Sequence, residues 1–273
     1  MTAAEEPPHF YKYRSLEGSG DGSVRDRTRR IIADNAVWFA RAADVNDPFD
    51  CAPGYSLAAP APVFRKFLHR LFREKAPAMG RHAVRVQLAA IRRDPARQQN
   101  SPQLIAEMRR LTAATVNSAG FCSLSTRPDH VLMWSHYAAS HTGICLRFSG
   151  ASWAFPFRAA QRVTYRAERP VLNPVLDDAD AIVDKTFLSK ADFWAYEEEW
   201  RVLSHPGGPV DPAGDPGLVT YEPRALDGVI FGANTSDADI AEVTRWVAGR
   251  EQPVELLRAR PSPDHFRLDI GPL

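Results

Sequence analysis

The feature that most constrains the fold of this chain is the irregular order of its helix-like and strand-like segments. Strand patterns occupy residues 9–14, 36–40, 120–125, 143–148, 163–165, 196–203, 226–231, 254–258 and 266–270, and helix patterns occupy residues 24–34, 61–118, 131–139, 179–193 and about 235–248. Regular alternation of strand and helix builds doubly wound parallel sheets, and that alternation is missing here. The sequence therefore predicts an α+β fold, with a mixed, mainly antiparallel central sheet, flanking helices and a helical insertion.

Residues 61–118 carry the clearest helical stripe. Apolar side chains recur there at helical spacing, at Val63, Phe64, Phe67, Leu68, Leu71 and Phe72. A chain of 273 residues with 44% hydrophobic content is long enough to bury one large core. We therefore expect a single domain over residues 1–273, with the helical insertion at about residues 60–118.

Positive charge is concentrated in the same stretch. Residues 60–115 contain three acidic residues, Glu74, Asp94 and Glu107, and twelve basic ones: Arg65, Lys66, Arg70, Arg73, Lys75, Arg81, Arg85, Arg92, Arg93, Arg97, Arg109 and Arg110. The stretch has a net charge of +9, although the whole chain has only +1. This separation points to an anionic partner, a nucleic acid or an acidic protein. A solvated face on ordinary helices explains the same charge.

Cysteine usage and hydropathy bound the location of the protein. The three cysteines, Cys51, Cys122 and Cys145, have no spacing typical of a zinc site or of a disulfide framework. We expect buried thiols in a reducing compartment. No apolar run approaches the roughly 18 residues that span a bilayer, and the N-terminus lacks a signal pattern. The sequence predicts a cytoplasmic protein with no membrane partner and, from its residue spacing, no metal site.

An unusual acidic stretch lies at residues 197–201. A strand through these residues would place Glu197, Glu199 and Arg201 on one face. Two crowded carboxylates with an arginine beside them suit a site that handles developing positive charge or a bound cation. The alternative is a polar edge strand with a surface salt bridge.

Several short motifs together resemble a prokaryotic family, the domain of unknown function 2971. The matching segments are residues 11–14 (YKYR), 46–50 (NDPFD), 121–125 (FCSLS), 133–138 (MWSHYA), 141–144 (HTGI) and 194–201 (WAYEEEWR), with Lys190 ahead of the last. They frame most of the chain outside the insertion. This resemblance names a family and implies no activity.

The order of these parts also resembles a divergent ADP-ribosyltransferase, which would take NAD as its substrate. In such enzymes a basic residue on the first strand, serines on a middle strand and a late E-x-E pair form the NAD site. The resemblance implies the following residues for that site: Lys12 or Arg14, then Ser123 and Ser125, then Glu197 and Glu199.

The chemistry implied by this second resemblance assigns further roles. Cleavage of the bond between nicotinamide and ribose develops an oxocarbenium-like cation, which a carboxylate such as Glu199 stabilises. Glu197 would orient the acceptor or take its proton, and His136 is a candidate acid or base. The remaining candidates would contact the cofactor: Lys12 and Arg14 at the pyrophosphate, Trp134 or Tyr137 stacked on nicotinamide, and Arg201 beside the carboxylates.

Packing explains some of these residues equally well. Trp134 and Trp200 have the size of core side chains, and His136 fits a hydrogen-bonded structural histidine. Asn46 and Asp47 fit a turn, in which a side-chain oxygen accepts from nearby backbone amides.

The function therefore has three candidates. The first is an NAD-consuming transferase or glycohydrolase, as a toxin or a phage-defence effector. The second is a metal-dependent nuclease, in which the basic insertion binds phosphates and Mg²⁺ is held by Asp47, Asp50, Glu197 and Glu199. The third is a non-enzymatic domain that senses a nucleotide.

Overall fold

The computed structural model describes residues 7–93, 98–205, 208, 210 and 217–273, and all side chains in these ranges except those of Lys75, Arg92, Ala114 and Thr115. Of the basic stretch, Asp94 and Arg97 therefore lie outside the described residues. The chain divides into two compact units. The first comprises Met1–Asp44, Ala119–Val163 and Phe193–Leu273, and the second comprises Val45–Ser118 and Thr164–Asp192.

The elements follow one another without regular alternation. The helices are α1 (Val24–Ala33), α2 (Ala61–Lys75), α3 (Arg81–Arg93), α4 (Pro102–Ser118), α5 (Val131–Tyr137), α6 (Ala179–Phe187) and α7 (Asp237–Ala248). The strands are β1 (His9–Arg14), β2 (Ala36–Trp38), β3 (Ala40–Arg41), β4 (Gly54–Tyr55), β5 (Gly120–Ser125), β6 (Ile144–Ser149), β7 (Gln161–Arg162), β8 (Thr164–Arg166), β9 (Val171–Leu172), β10 (Ser189–Ala191), β11 (Glu199–Ser204), β12 (Leu218–Thr220), β13 (Leu226–Phe231), β14 (Glu255–Pro261) and β15 (Leu268–Pro272). Short 3₁₀ helices lie at Ala42–Asp44, Phe157–Ala159, Asp192–Glu197 and Pro223–Ala225.

A nine-stranded sheet forms the centre of the first unit in the part of the chain that the structure describes. Its strands lie in the order β15, β14, β13, β6, β1, β5, β11, β7, and β3 also pairs with β5. These pairs are antiparallel except for β13 with β14, which run parallel. The predicted α+β fold with a mixed, mainly antiparallel sheet is confirmed.

The two faces of this sheet carry separate apolar cores. On β1, Phe10 belongs to a core that includes Ile31 and Ile32 of α1. Tyr13 belongs to the opposite core, where its ring meets Trp134 of α5 edge-on at 5.2 Å between centroids. We call these sides the α1 face and the α5 face. Because side chains alternate along a strand, this division assigns every residue of β1 to one face.

Local sequence explains where the flanking helices begin. The Ser23 side chain accepts from the backbone amide of Asp26 and caps α1, and the Ser236 side chain accepts from Asp239 and caps α7. Ile31 then lies on the buried stripe of α1, as its helical spacing predicts. The helix predicted at about residues 235–248 is confirmed, and of the two hydroxyl residues that precede it, Thr235 and Ser236, the second is the cap.

The second unit contains the three helices of the predicted insertion. Its core joins Leu57 to apolar residues of all three helices: Phe67, Leu68, Leu88, Ile91, Leu104 and Met108. Two short parallel strand pairs, β4 with β9 and β8 with β10, belong to the same unit. The single domain over residues 1–273 stays a prediction.

Two predicted elements are shortened or divided in the structure by contacts with other strands. The helix predicted over residues 179–193 ends at Phe187, because the Ser189 hydroxyl donates to the carbonyl of Asp184 and β10 then pairs with β8. The strand predicted over residues 36–40 is two strands, since β2 pairs with β12 whereas β3 pairs with β5.

The three cysteines carry free, buried thiols, as predicted. Burial raises the pKa of the Cys145 thiol well above its ordinary value. Among the helices of the described residues, none has both the length and the apolar character that crossing a membrane requires.

Candidate functional site

Strand β11 places two of the predicted site residues on the α5 face. Glu199 lies opposite Ser125 of β5, and Arg201 lies opposite Ser123. Ser125 in turn lies opposite Tyr11, which packs in the α5-face core. Since residues directly opposite each other on paired strands share a face, all of these side chains belong to the α5 face.

Glu199 and Arg201 form a buried ion pair on this face. The Arg201 guanidinium donates from Nε to Glu199 Oε1 at 2.8 Å and from Nη2 to Oε2 at 3.1 Å. Only 3% of Glu199 and 0% of Arg201 is exposed. The guanidinium carbon also lies 4.4 Å from the ring centroid of Phe121, which adds a cation–π contact. The pair is therefore internal, and the surface salt bridge considered from the sequence is wrong.

Glu197 reaches the same region from outside the strand. It ends the 3₁₀ helix Asp192–Glu197, and its backbone carbonyl accepts from the Ser125 hydroxyl at 2.6 Å. The next residue, Glu198, has a φ of 44°, and its carboxylate accepts from Thr126 and from Arg127. This turn prevents one strand from running through residues 196–203. The strand predicted there is wrong for its first three residues and begins at Glu199.

Tyr137 contacts one of the two carboxylates and feels the charge of both. Its hydroxyl donates to Glu197 Oε1 at 2.7 Å. Burial raises the pKa of Tyr137, and the negative charge of Glu197, the hydrogen bond to it and the charge of Glu199 raise that pKa further. Tyr137 is therefore a neutral hydrogen-bond donor at physiological pH. We call Tyr137, Glu197, Glu199 and Arg201 the acidic cluster.

A row of aromatic rings borders the acidic cluster. The ring centroids of successive members lie 5.1–6.3 Å apart in the order Tyr137, His136, Trp194, Tyr196 and His130. His136 is exposed, and Tyr137, Trp194 and Tyr196 are partly exposed. Burial and then the charge of Arg127 lower the pKa of His130, which stacks on Tyr196 as a neutral ring. This aromatic row offers π faces beside two carboxylates.

Lys12 and Arg14 do not join the acidic cluster. Both follow Phe10 at even spacing on β1 and belong to the α1 face, opposite to Glu199. The Arg14 guanidinium donates to the Thr28 hydroxyl of α1 at 3.2 Å, and burial lowers its pKa to about 10. The Lys12 ammonium donates to the backbone carbonyl of Ser123 at 3.1 Å. The structure therefore separates these cations from the carboxylates by the thickness of the sheet.

The other predicted residues divide between the core and the cluster. Trp134 is fully buried and its indole donates to the carbonyl of Pro128 at 2.8 Å, which fits the packing interpretation. Trp200 packs on Phe10 of the α1 face, with ring centroids 5.6 Å apart. Ser125 holds Glu197 in place through its hydroxyl.

Trp194, Tyr196 and His130 were not predicted as site residues. Trp194 and Tyr196 would have been found by treating residues 192–197 as a turn that presents aromatic side chains together, but the predicted strand began at residue 196. Spacing within the sequence contains no signal that brings His130 next to Tyr196.

The residues proposed for a metal site are distributed over both units. Asp47 and Asp50 are buried in the second unit, and Asp47 Oδ1 accepts from the backbone amide of Phe49 at 2.9 Å. This bond makes Asp47 part of a turn, as the sequence suggests. Within the described ranges, no group of three or more His, Cys, Asp or Glu side chains is arranged to hold a metal ion.

Replacing Tyr137 by Phe should lower the free energy of unfolding by about 1.5–3 kcal/mol, because a hydrogen bond to a buried carboxylate is lost. Urea denaturation followed by circular dichroism measures this change. Tyr221→Phe is the matched control, since Tyr221 donates to the neutral carbonyl of Ile31 and should cost only about 0.5–1.5 kcal/mol. Equal losses for the two variants would contradict an ionised Glu197.

The fold and the site define a class: α+β proteins with a buried acidic cluster on one face of a mainly antiparallel sheet. Within that class, the family model described as Protein of unknown function (DUF2971) matches residues 133–202. The matched segment includes Tyr137, Glu197 and Glu199, and it confirms the predicted resemblance to this family. No curated protein and no solved structure was found to match the chain. The similarity to ADP-ribosyltransferases stays a prediction.

Proposed function

We propose that the acidic cluster is the catalytic centre of an NAD-consuming enzyme, an ADP-ribosyltransferase or a glycohydrolase. The observation that carries this proposal is the hydrogen bond from the neutral, partly exposed Tyr137 hydroxyl to the buried Glu197 carboxylate, with buried Glu199 near enough for its charge to raise the pKa of the tyrosine. Such a site favours a substrate that becomes positively charged as it reacts. The ribose of NAD does so when nicotinamide leaves.

The two carboxylates have different surroundings and therefore different roles in this proposal. The fork of Arg201 fixes Glu199 and offsets part of its negative charge. Glu197 accepts a hydrogen bond from Tyr137, a partly exposed member of the aromatic row, so it lies beside the surface on which nicotinamide would stack. Glu197 is thus the stronger candidate to stabilise the oxocarbenium-like cation, and Glu199 is the candidate that orients the ribose beside it.

The aromatic row supplies the surface on which a nicotinamide or adenine ring would stack. Tyr137 and Trp194 are partly exposed and lie close to the carboxylates, and His136 between them is exposed. Aromatic pairs at such distances contribute about 0.5–1.5 kcal/mol each beyond burial. Trp134, Lys12 and Arg14 have no part in this proposal, because their side chains are committed elsewhere.

The remaining parts of the proposal concern the cell. We propose that the acceptor is an anionic macromolecule, a nucleic acid or an acidic protein, which the basic helices of the second unit attract. A cytoplasmic location and action as a toxin or a defence effector belong to the same proposal. Expression under a tight promoter, with cell growth and NAD content followed over time, tests them together.

Incubation of the purified chain with NAD, followed by chromatographic detection of nicotinamide, tests the activity. We expect release of nicotinamide that is unchanged by EDTA, because the proposed chemistry is carried by carboxylates. Release that EDTA abolishes, or cleavage of a nucleic acid that requires Mg²⁺, would favour the metal-dependent nuclease. Saturable binding of NAD without turnover would favour the nucleotide sensor and contradict catalysis.

A further inference from the structure

A strongly basic cleft lies between α2 and α3 in the second unit. It has a volume of about 430 Å³, and its charged lining residues are His69 and Arg73 of α2 with Arg81 and Arg85 of α3. Among the described residues the lining has no acidic side chain, and its other members are Ala76, Pro77, Met79 and Val84. All four basic side chains are exposed. The cleft therefore concentrates positive charge in a concave surface that is open to solvent.

These arginines have no carboxylate partner among the described residues, in contrast to other cations of the same unit. Arg166 forms an ion pair with Asp184 at 3.0 Å, and Lys185 forms one with Asp177 at 2.7 Å. Across the described part of α2 and α3, no ion pair involves Arg73, Arg81 or Arg85. Clustered like charges repel, so an arrangement without counter-ions favours the binding of an external polyanion.

A second cleft, mainly apolar, adjoins the basic one and shares two of its residues. It has a volume of about 500 Å³ and includes His69 and Arg85 at the boundary. Its apolar lining consists of Ala61, Phe64, Leu68, Leu88, Ala89 and Ile91, and Gln98 and Gln99 add amide groups. A third cleft shares His69 and Arg73 with the basic one and contains Lys66 and Arg70, with Glu74 as its acidic residue. Charged and apolar surfaces thus adjoin along α2.

We propose that the α2 and α3 face binds a single-stranded nucleic acid, with phosphates in the basic cleft and an unstacked base in the apolar cleft. Single-strand binding sites combine a cationic groove along the backbone with apolar or aromatic surface for the bases. In a duplex the bases are stacked inside and could not enter the apolar cleft. An acidic peptide would use the arginines but has no base for that cleft.

A single-stranded nucleic acid is a more specific form of the anionic acceptor in the proposed function. Only its role as the acceptor rests on that proposed function. Binding to the cleft is measured without NAD and without the acidic cluster taking part. A chain that binds the strand but releases no nicotinamide would contradict the NAD chemistry alone, and the converse result would contradict the cleft alone.

The test is fluorescence anisotropy with a labelled, mixed-sequence single-stranded 12-mer, in DNA and RNA forms, over a range of salt concentrations. The triple variant R73A/R81A/R85A should bind at least about tenfold more weakly at 0.1 M salt. Its slope of log K against log salt should be shallower by about 2, since each phosphate contact contributes about 0.7 for a single strand.

The matched control removes three exposed arginines of the first unit, as R158A/R224A/R267A, and lowers the net charge by the same amount. This control should bind the 12-mer as the unchanged protein does. Thermal unfolding of both triple variants checks that they are folded. Equal weakening by the two triples would mean that binding follows net charge, and it would overturn the cleft as the site.

The apolar cleft is tested separately with Phe64→Ala. This variant should weaken binding of the 12-mer several-fold and leave the binding of inorganic polyphosphate of similar charge unchanged, because polyphosphate has no bases. A duplex of the same sequence or a poly-glutamate peptide that binds as tightly as the single strand would overturn the proposal in favour of a duplex or an acidic protein. No measurable binding of the 12-mer would overturn it altogether.

Discussion

Replacing Glu197 by Gln is expected to slow nicotinamide release by about 10²–10³-fold, the usual effect of removing one electrostatic stabiliser of a transition state. The substitution keeps the shape of the side chain, and the Gln carbonyl can still accept from the Tyr137 hydroxyl. The negative charge is lost, and one acceptor oxygen becomes an amide donor. The measurement is the initial rate of nicotinamide release at saturating NAD, normalised to the concentration of folded protein.

Three consecutive glutamates provide the controls for this experiment. Glu198→Gln removes the same charge one residue away. The Glu198 side chain is 42% exposed to solvent and contacts Thr126 and Arg127. The rate of nicotinamide release by this variant should therefore stay within about twofold of the rate of the unchanged protein. Glu199→Gln should also be slow, because it disturbs the fork with Arg201. Similar rates for all three variants would contradict a catalytic role for the acidic cluster.

Replacing Arg201 by Met is expected to lower the free energy of unfolding by about 3–5 kcal/mol, the range for breaking one side of a buried ion pair. Arg201 is fully buried, donates two hydrogen bonds to Glu199 and lies over the ring of Phe121. Met preserves much of the apolar volume, which limits the part of the loss that comes from packing. Urea denaturation with and without the substitution gives the difference directly.

A double-mutant cycle separates the ion pair from the packing of Arg201. Glu199→Gln combined with Arg201→Met removes both charges and should be less destabilised than the sum of the two single variants, by about 1–3 kcal/mol. Strictly additive losses would contradict an energetic coupling between the two side chains. Because both residues are buried, the coupling should also be nearly unchanged between 0.05 and about 0.5 M salt.

Local patterns were sufficient to predict most of the framework. The alternation at residues 9–14 and 120–125 predicted β1 and β5, and helical spacing predicted α1 and α7. The physical reason is that pleating, helical periodicity and capping depend on neighbours within a few residues. Predictions failed where a distant contact decided the backbone, as at residues 188–198.

The candidate site shows the same limit at the level of single side chains. The alternation of side chains along β1 places Tyr11 and Lys12 on opposite faces of the sheet, but it does not show which of them shares a face with Glu199. That choice depends on the register of β1 with β5 and of β5 with β11, which long-range pairing sets. The carboxylates could therefore be found in the sequence, whereas the predicted cationic partners could not be assigned to a face.

The left-handed backbone at Glu198 has a consequence for how the centre responds to a ligand. Glu199 lies on β11, which pairs with β5 on one side and with β7 on the other, and β5 pairs in turn with β1. Displacing Glu199 would therefore disrupt several interstrand contacts at once. Glu197 lies outside that ladder, at the end of the 3₁₀ helix Asp192–Glu197, where the Ser125 hydroxyl holds its backbone carbonyl. Regular strand pairing thus anchors Glu199, whereas Glu197 depends on a turn and on a side-chain contact, and induced fit in this protein should begin at Glu197.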